Sequence, residues 1–109
     1  MTKKKYSLRY LPLFYEELDR DITYIATKLG NIDAANNLLD DVESAILKRI
    51  EDGPESFEKV PSKKKRINPY YKIYVKNYII YYVVLEENGS KIMEVRRFLH
   101  ILENREDKL

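Results

Sequence analysis

The side chains best suited to chemistry lie close together near the end of the sequence, where Arg96, Arg97 and His100 fall on a predicted β-strand. His100 is the only histidine, so a site with several histidine ligands cannot form. An imidazole takes and releases protons near neutral pH, and beside guanidinium groups it suits phosphoryl-transfer chemistry. The simpler interpretation is a histidine on the surface or in ordinary packing. We treat these three residues as candidate catalytic groups.

Two tyrosines, Tyr74 and Tyr81, fall on neighbouring predicted strands with Lys72 and Arg96 nearby. Bases of single-stranded RNA stack on such rings, while lysine and arginine bind the phosphates. Tyrosine is also common in strands for structural reasons, because its ring covers pleated surface. A third interpretation needs no catalysis, since an exposed aromatic and basic face can dock an acidic, amphipathic peptide. The pattern predicts that both tyrosines bind substrate and leaves the other interpretations open.

The net charge of +2 conceals a strong separation of charge along the chain. Residues 13–58 include twelve acidic and four basic residues, whereas residues 59–85 include seven basic residues and no acidic one. A basic surface indicates a polyanionic or acidic partner, although a run of lysines can also be plain solvated surface. Within this segment we predict that Lys65 and Arg66 contribute to substrate binding.

Length and composition limit the class of protein. A chain of 109 residues has the size of one domain, and we expect residues 1–109 to form it. The absence of cysteine excludes disulfides and thiolate metal sites. No segment approaches the roughly 20 apolar residues of a membrane span, and the first residues lack the apolar region of a signal peptide. We expect a cytoplasmic protein with no membrane partner and no cofactor.

Two amphipathic helices are predicted between a short N-terminal strand at 6–11 and the basic segment. Apolar residues recur every three or four positions over 13–29 and again over 32–52, as on one face of a helix. Gly30 suits the end of the first helix, and Asn31 can cap the second. Two amphipathic helices joined by so short a turn form an antiparallel hairpin, and its apolar face must pack against another part of the protein.

Residues 70–100 have the pattern of three consecutive β-strands, joined by predicted two-residue turns at Lys76-Asn77 and Asn88-Gly89. Cross-strand partners share a face, so the apolar face of this meander should receive the helical hairpin. That predicted core face comprises Tyr71, Ile73, Val75, Tyr78, Ile80, Tyr82 and Val84. The opposite face comprises Tyr70, Lys72, Tyr74, Lys76, Ile79, Tyr81, Val83, Ile92, Glu94, Arg96, Phe98 and His100.

The opposite face is the predicted functional surface, because it is too apolar for a solvated face and too charged for a second core. Arg97 falls on the core side, so we expect it near the rim or in an ion pair. A slip of one residue would invert the assignment. The predicted fold is α+β: an antiparallel sheet made of the N-terminal strand and the three-stranded C-terminal meander, with the helical hairpin packed on one face.

The order of these parts resembles the RelE/ParE superfamily of toxins from bacterial type II toxin–antitoxin systems. The matching stretches span nearly the whole chain: Tyr10-Leu11-Pro12-Leu13, then Tyr71-Lys72-Ile73 with Val75-Lys76-Asn77-Tyr78, and finally Val95-Arg96-Arg97-Phe98-Leu99-His100 followed by Arg105. The resemblance implies a toxin that arrests growth and is neutralised by a small antitoxin encoded beside it, with a role in plasmid stabilization.

The superfamily contains two activities, and the resemblance implies them as alternatives. RelE-like members cleave mRNA in the ribosomal A site without a metal, using lysines, arginines and a tyrosine or histidine on the concave sheet face. Lys72 matches one of those lysines. ParE-like members inhibit DNA gyrase and lack those catalytic groups. Ile79 stands where a RelE-like arginine is expected, and the residues at 97–100 resemble the ParE-like ending.

The leading expectation is a metal-free, ribosome-dependent mRNA endoribonuclease, also called an mRNA interferase. Its expected catalytic residues are Lys72, Arg96, Arg97 and His100, and its expected substrate-binding residues are Lys65, Arg66, Tyr74 and Tyr81. The alternatives are a gyrase inhibitor that acts by binding and a degenerate module that binds without toxicity. The expected partners are the antitoxin and either the ribosome with its mRNA or DNA gyrase.

Overall fold

Two α-helices and a four-stranded sheet form the described part of the chain, which in this computed structural model is residues 6–62, 66–103 and 109. In chain order the elements are β1 (Tyr6–Tyr10), α1 (Pro12–Thr27), α2 (Ile32–Asp52), a short 3₁₀ helix (Pro54–Ser56), β2 (Tyr71–Val75), β3 (Tyr78–Glu87) and β4 (Ser90–His100). The strand order in the sheet is β1-β4-β3-β2. The predicted α+β fold, a helical hairpin on a small sheet, is confirmed.

The first strand departs from the predicted antiparallel arrangement. β1 runs parallel to β4, with Tyr6 opposite Lys91 and Tyr10 opposite Val95, whereas β2–β3 and β3–β4 pair antiparallel. The reason lies in the connection. Between β1 and β4 the chain passes through both helices and the β2–β3 hairpin, and a long crossover of this kind permits parallel pairing.

The helix boundaries follow local signals in the sequence. Pro12 begins α1, where its missing N–H costs no hydrogen bond. Gly30 adopts a positive φ of 61° between the helices, and Asn31 Oδ1 accepts a hydrogen bond from the Ala34 N–H at 3.0 Å. The predicted bounds of α2 are confirmed, whereas α1 ends at Thr27, before the predicted boundary.

Both predicted hairpin turns are present, and they set the register of the meander at its two ends. Lys76 in the first turn adopts a φ of 51°, and Asn88 and Gly89 in the second adopt φ values of 52° and 77°. Positive φ at such positions is typical of the primed turns, whose twist matches that of the paired strands.

The main core lies between the helical hairpin and one face of the sheet. The Phe14 ring of α1 meets the Phe98 ring of β4 edge to face, with 6.1 Å between the centroids. The buried members of this core are Phe14, Leu38, Val42, Ile46, Tyr71, Ile73, Val75, Ile80, Tyr82, Met93, Val95 and Phe98. Every residue predicted for the core face of β2 and β3 belongs to this cluster or packs against it, so the orientation predicted for these strands is confirmed.

A β-bulge interrupts the pairing of β3 with β4. Tyr82 lies opposite Val95, but the preceding residue, Tyr81, lies opposite Arg97, so Arg96 is an extra residue in β4. Because side chains alternate along a strand, one extra residue moves every later side chain to the other face of the sheet.

The bulge overturns the faces predicted for the end of β4. Phe98 and His100 are predicted on the functional face, and both predictions are wrong. Phe98 lies in the main core, and His100 lies opposite Tyr78 on the hairpin side. Leu99 takes their place on the other face of the sheet.

The outer face, by which we mean the sheet face turned away from the hairpin, carries a second, smaller core. Its buried members are Val60, Tyr70, Ile79, Tyr81, Val83 and Leu99, and Leu85 and Leu109 pack against them. The segment between α2 and β2 folds back over the sheet, and its Val60 N–H donates a hydrogen bond to the Tyr70 carbonyl at 2.7 Å. The expectation that this face is too charged for a second core is therefore wrong, because its apolar side chains are covered.

Candidate functional site

Lys72 and Tyr74 lie on β2, the edge strand of the sheet. The Lys72 Nζ atom is 5.5 Å from the centroid of the Tyr74 ring, a cation–π contact. Tyr74 is 60% exposed, so its ring is available to a flat ligand group. Arg49 of α2 donates a hydrogen bond to the Lys72 carbonyl at 3.2 Å and so holds the strand backbone in place. These two predicted site residues do lie together.

Arg96 lies on the outer face, where it contacts Glu94 and Tyr70. Its Nε donates a hydrogen bond to Glu94 at 2.8 Å, and its Nη1 donates one to the Tyr70 hydroxyl at 3.4 Å. Glu94 is 4% exposed and also accepts a hydrogen bond from Arg9 at 2.8 Å. Burial alone raises the pKa of Glu94, but the hydrogen bonds from the two arginines outweigh it and hold the pKa below its ordinary value. Arg96 therefore faces an ionised carboxylate, which offsets the charge it could offer to a phosphate.

Arg97 forms an ion pair with Glu17 of α1. Its Nε and Nη2 atoms donate to the two carboxylate oxygens at 2.9 and 2.7 Å. The same carboxylate accepts a hydrogen bond from the Phe98 N–H at 3.0 Å, at the part of the sheet edge that β1 does not reach. The expectation that Arg97 lies near the rim or is paired is confirmed, but its predicted place on the core side is wrong, because after the bulge it lies opposite Tyr81 of the second core. The bidentate pair ties α1 to β4.

Glu17 is the important residue that sequence reasoning missed. It is 6% exposed, although glutamate is rarely buried unless it is paired. The signal was present in α1, because Glu17 falls between Phe14 and Leu18, two members of the apolar stripe. An acid at a core-facing helix position indicates a cationic partner on the element that the helix covers.

His100 lies at the end of β4 on the hairpin side. Its ring meets the Tyr78 ring edge to face, with 5.1 Å between the centroids. Its Nδ1 accepts a hydrogen bond from the Leu102 N–H at 3.0 Å, and its backbone N–H donates to the Glu103 carboxylate at 3.0 Å. These contacts hold the turn that follows β4 against the end of the strand.

A cleft of about 550 Å³ opens beside His100, between α1 and the end of the sheet. The ionisable side chains that line it are Arg20, Asp21, His100 and Glu103, and Arg20 pairs with both acids at 3.5 and 3.0 Å. Burial raises the pKa of Asp21 in spite of the neighbouring arginine. The His100 imidazole therefore faces groups of α1 and the final turn rather than the outer face of the sheet.

The remaining predicted substrate-binding residues have different environments. The Arg66 guanidinium lies 5.2 Å from the Tyr70 ring centroid, and its Nε donates to the Ser62 hydroxyl at 3.2 Å. Tyr81 is 0% exposed and belongs to the second core, so the prediction that its ring is available to a base is wrong. Lys65 lies outside the described residues.

The predicted site residues thus divide between the two sides of the sheet. The outer side carries Lys72, Tyr74, Arg66 and Arg96. His100 lies on the hairpin side, and Arg97 is held at the edge by Glu17. The expected convergence of Arg96, Arg97 and His100 is therefore wrong. Among residues 6–62, 66–103 and 109, no group of three potential metal ligands is present, and no helix is long and apolar enough to cross a membrane.

Comparison with known families agrees with this architecture. A family model described as "ParE toxin of type II toxin-antitoxin system, parDE" matches residues 8–104, which include both helices and nearly all of the sheet. No curated protein matches the sequence. Because the family match covers most of the chain, the protein belongs to the ParE toxin family, within the RelE/ParE superfamily, and is the toxin of a type II toxin–antitoxin system whose partner is an antitoxin.

Proposed function

We propose that this toxin arrests growth by binding DNA gyrase in the cytoplasm and inhibiting it, without cleaving RNA. ParE-like members of the superfamily have this activity, as the resemblance implies. Inhibition by binding needs a complementary surface and does not require catalytic groups to meet at one atom. Inhibition then depends on the side chains exposed at the surface, and the buried ion pairs contribute to the stability of the fold that positions them.

The observation that carries the proposal is the separation of the candidate catalytic side chains. Metal-free cleavage of RNA needs a proton acceptor, a proton donor and a cation within hydrogen-bond reach of one phosphate. Lys72 is on the outer side of β2, and His100 lines the cleft against α1. Arg97 is bound by both oxygens of Glu17. Groups on opposite sides of a sheet cannot act on the same substrate atom.

A ribosome-dependent endoribonuclease is the second candidate, and the outer face is the observation that favours it. Lys72 and the exposed Tyr74 ring are in contact there, and Arg96 lies on the same face of the sheet. A phosphate and a base could bind to these groups. Such a nuclease would work without His100. Substitution of Lys72 should therefore abolish mRNA cleavage if the toxin is a nuclease, whereas it should leave gyrase inhibition intact if the toxin acts by binding.

Two assays on one preparation of toxin distinguish gyrase inhibition from RNA cleavage. The toxin is freed from its co-expressed antitoxin and assayed for gyrase supercoiling and for ribosome-dependent mRNA cleavage. We expect blocked supercoiling, intact mRNA, and the same two results for the Lys72→Ala and His100→Ala variants. Added antitoxin should restore supercoiling, which is the control for specific inhibition.

Two results would reject the proposal. Cleaved mRNA that becomes intact with Lys72→Ala, together with normal supercoiling, would favour the nuclease. Normal growth on induction without antitoxin, with neither activity in vitro, would favour a binding module that has lost toxicity.

A further inference from the structure

We infer that the loop at residues 66–69, which leads into β2, is the surface with which the toxin binds gyrase, and that Ile67 is its central contact. The inference rests on the proposed function, since gyrase inhibition by binding requires a contact surface. The loop lies beside the outer face, because Tyr70 directly after it belongs to the second core.

The exposure of Ile67 is the first observation. Ile67 is 97% exposed, the highest value among the large apolar residues that the structure describes. Single exposed apolar residues are common on protein surfaces, so exposure alone does not mark a binding site. It does mean that a partner able to cover the whole side chain gains the full hydrophobic contribution of an isoleucine.

The anchoring of the loop is the second observation. At one end the Arg66 guanidinium lies over the Tyr70 ring at 5.2 Å and bonds to the Ser62 hydroxyl at 3.2 Å. At the other end Tyr70 is 7% exposed, and its carbonyl accepts the Val60 N–H at 2.7 Å. Both ends are held by contacts to Tyr70, a member of the second core, while Ile67 is exposed. A contact held in place before binding loses less conformational entropy when the partner arrives.

The charge around the loop indicates the chemistry of the partner. No acidic residue occurs anywhere from residue 59 to residue 85, and the exposed Lys59 and the half-buried Arg66 belong to this stretch. An apolar tip within a cationic surface fits an apolar pocket bordered by carboxylates. The helical hairpin is acidic and would complement a basic partner. The loop is therefore complementary to an acidic protein surface, and we assign that surface to gyrase.

Substitution of Ile67 tests the assignment. Ile67→Ser should raise the toxin concentration for half-inhibition of supercoiling by about tenfold or more, the effect of losing one buried isoleucine contact. Ile67→Leu should inhibit as well as the parent. The matched control is Leu102→Ser, which should inhibit as well as the parent. Leu102 is 90% exposed but lies beside His100 at the far end of β4. All three variants should keep the parental affinity for antitoxin and the parental melting temperature.

The possible results separate this inference from the proposed function. If the parent toxin inhibits gyrase and Ile67→Ser inhibits it equally, the loop is not the contact, and gyrase inhibition stands. If the parent does not inhibit gyrase, both are overturned. If the parent binds the plasmid DNA alone and Ile67→Ser does not, the loop is a nucleic-acid contact, and the assignment to a protein surface is overturned.

Discussion

Arg96 and Arg97 are neighbours in the sequence, yet each is held by a different carboxylate. Arg96 is paired with Glu94 on the outer face, and Arg97 is paired with Glu17 of the first helix. Both acids are nearly buried. A buried carboxylate keeps its charge when guanidinium groups satisfy its oxygens. The cationic end of β4 is therefore largely neutralised within the protein, which is unfavourable for a site that must attract a phosphate.

The Arg97–Glu17 pair gives a prediction about stability. Arg97→Ala would leave the Glu17 carboxylate buried without its main partner, and breaking such a pair costs about 3–5 kcal/mol of unfolding free energy. Urea unfolding of the free toxin measures the change. Lys48→Ala is the control, because Lys48 pairs with Asp52 on the surface with 77% of its side chain exposed, and surface pairs contribute roughly 0–1 kcal/mol. An Arg97→Ala variant that keeps full stability but loses toxicity would instead make Arg97 a functional residue.

At the scale of elements, the predictions that held depend on short-range signals. The Gly30–Asn31 junction and the Asn88-Gly89 turn are encoded by residues that favour caps and positive φ. The Lys76-Asn77 turn is indicated instead by the break between two alternating runs, since lysine does not favour the positive φ that Lys76 adopts. The faces of β2 and β3 follow because their pairing starts directly at such a turn. Strand alternation then carries the correct assignment from Val75 to Val84.

The bulge at Arg96 is where this reasoning fails, and the consequences for the site are large. Nothing in the local sequence distinguishes an extra residue in β4 from a regular one, because the bulge exists only in relation to Tyr81 and Tyr82 on the partner strand. The position of His100 depends on it. The burial of Tyr81 was also missed, because it is produced by a distant segment that includes Val60.

Phe98 tests the bulge directly. In the structure its ring is 0% exposed and packs against Phe14 and Tyr78, so Phe98→Ala should lower the free energy of unfolding by about 3–5 kcal/mol. Tyr74→Ala is the comparison, since Tyr74 is 60% exposed and should cost less than about 1 kcal/mol. Chemical unfolding of both variants gives the two values. Similar small losses for both would mean that the Phe98 ring is not packed against Phe14 in the main core, where the bulge places it.

At the scale of the whole molecule, charge is divided between the helical hairpin and the segment that leads into the meander. Exposed acids on the hairpin include Asp40, Asp41 and Glu43, whereas residues 59–85 contain no acid. An ion pair from Lys76 to Asp41, at 3.1 Å, joins the two regions. A toxin must recognise both a target and an antitoxin, and a molecule with two surfaces of opposite charge can present a different one to each.

This division predicts how gyrase inhibition depends on salt. Raising the ionic strength from about 0.05 M to about 0.2 M halves the screening length, and attraction between the basic segment and an acidic target should weaken by about threefold to tenfold. Inhibition curves at the two salt concentrations measure the effect. Lys59→Gln should flatten the dependence, since Lys59 is an exposed cation of that segment. Lys48→Gln, on the acidic hairpin, should leave it unchanged. Inhibition that is equally strong at both concentrations would mean that the basic segment faces solvent in the complex, and that apolar contacts alone hold gyrase.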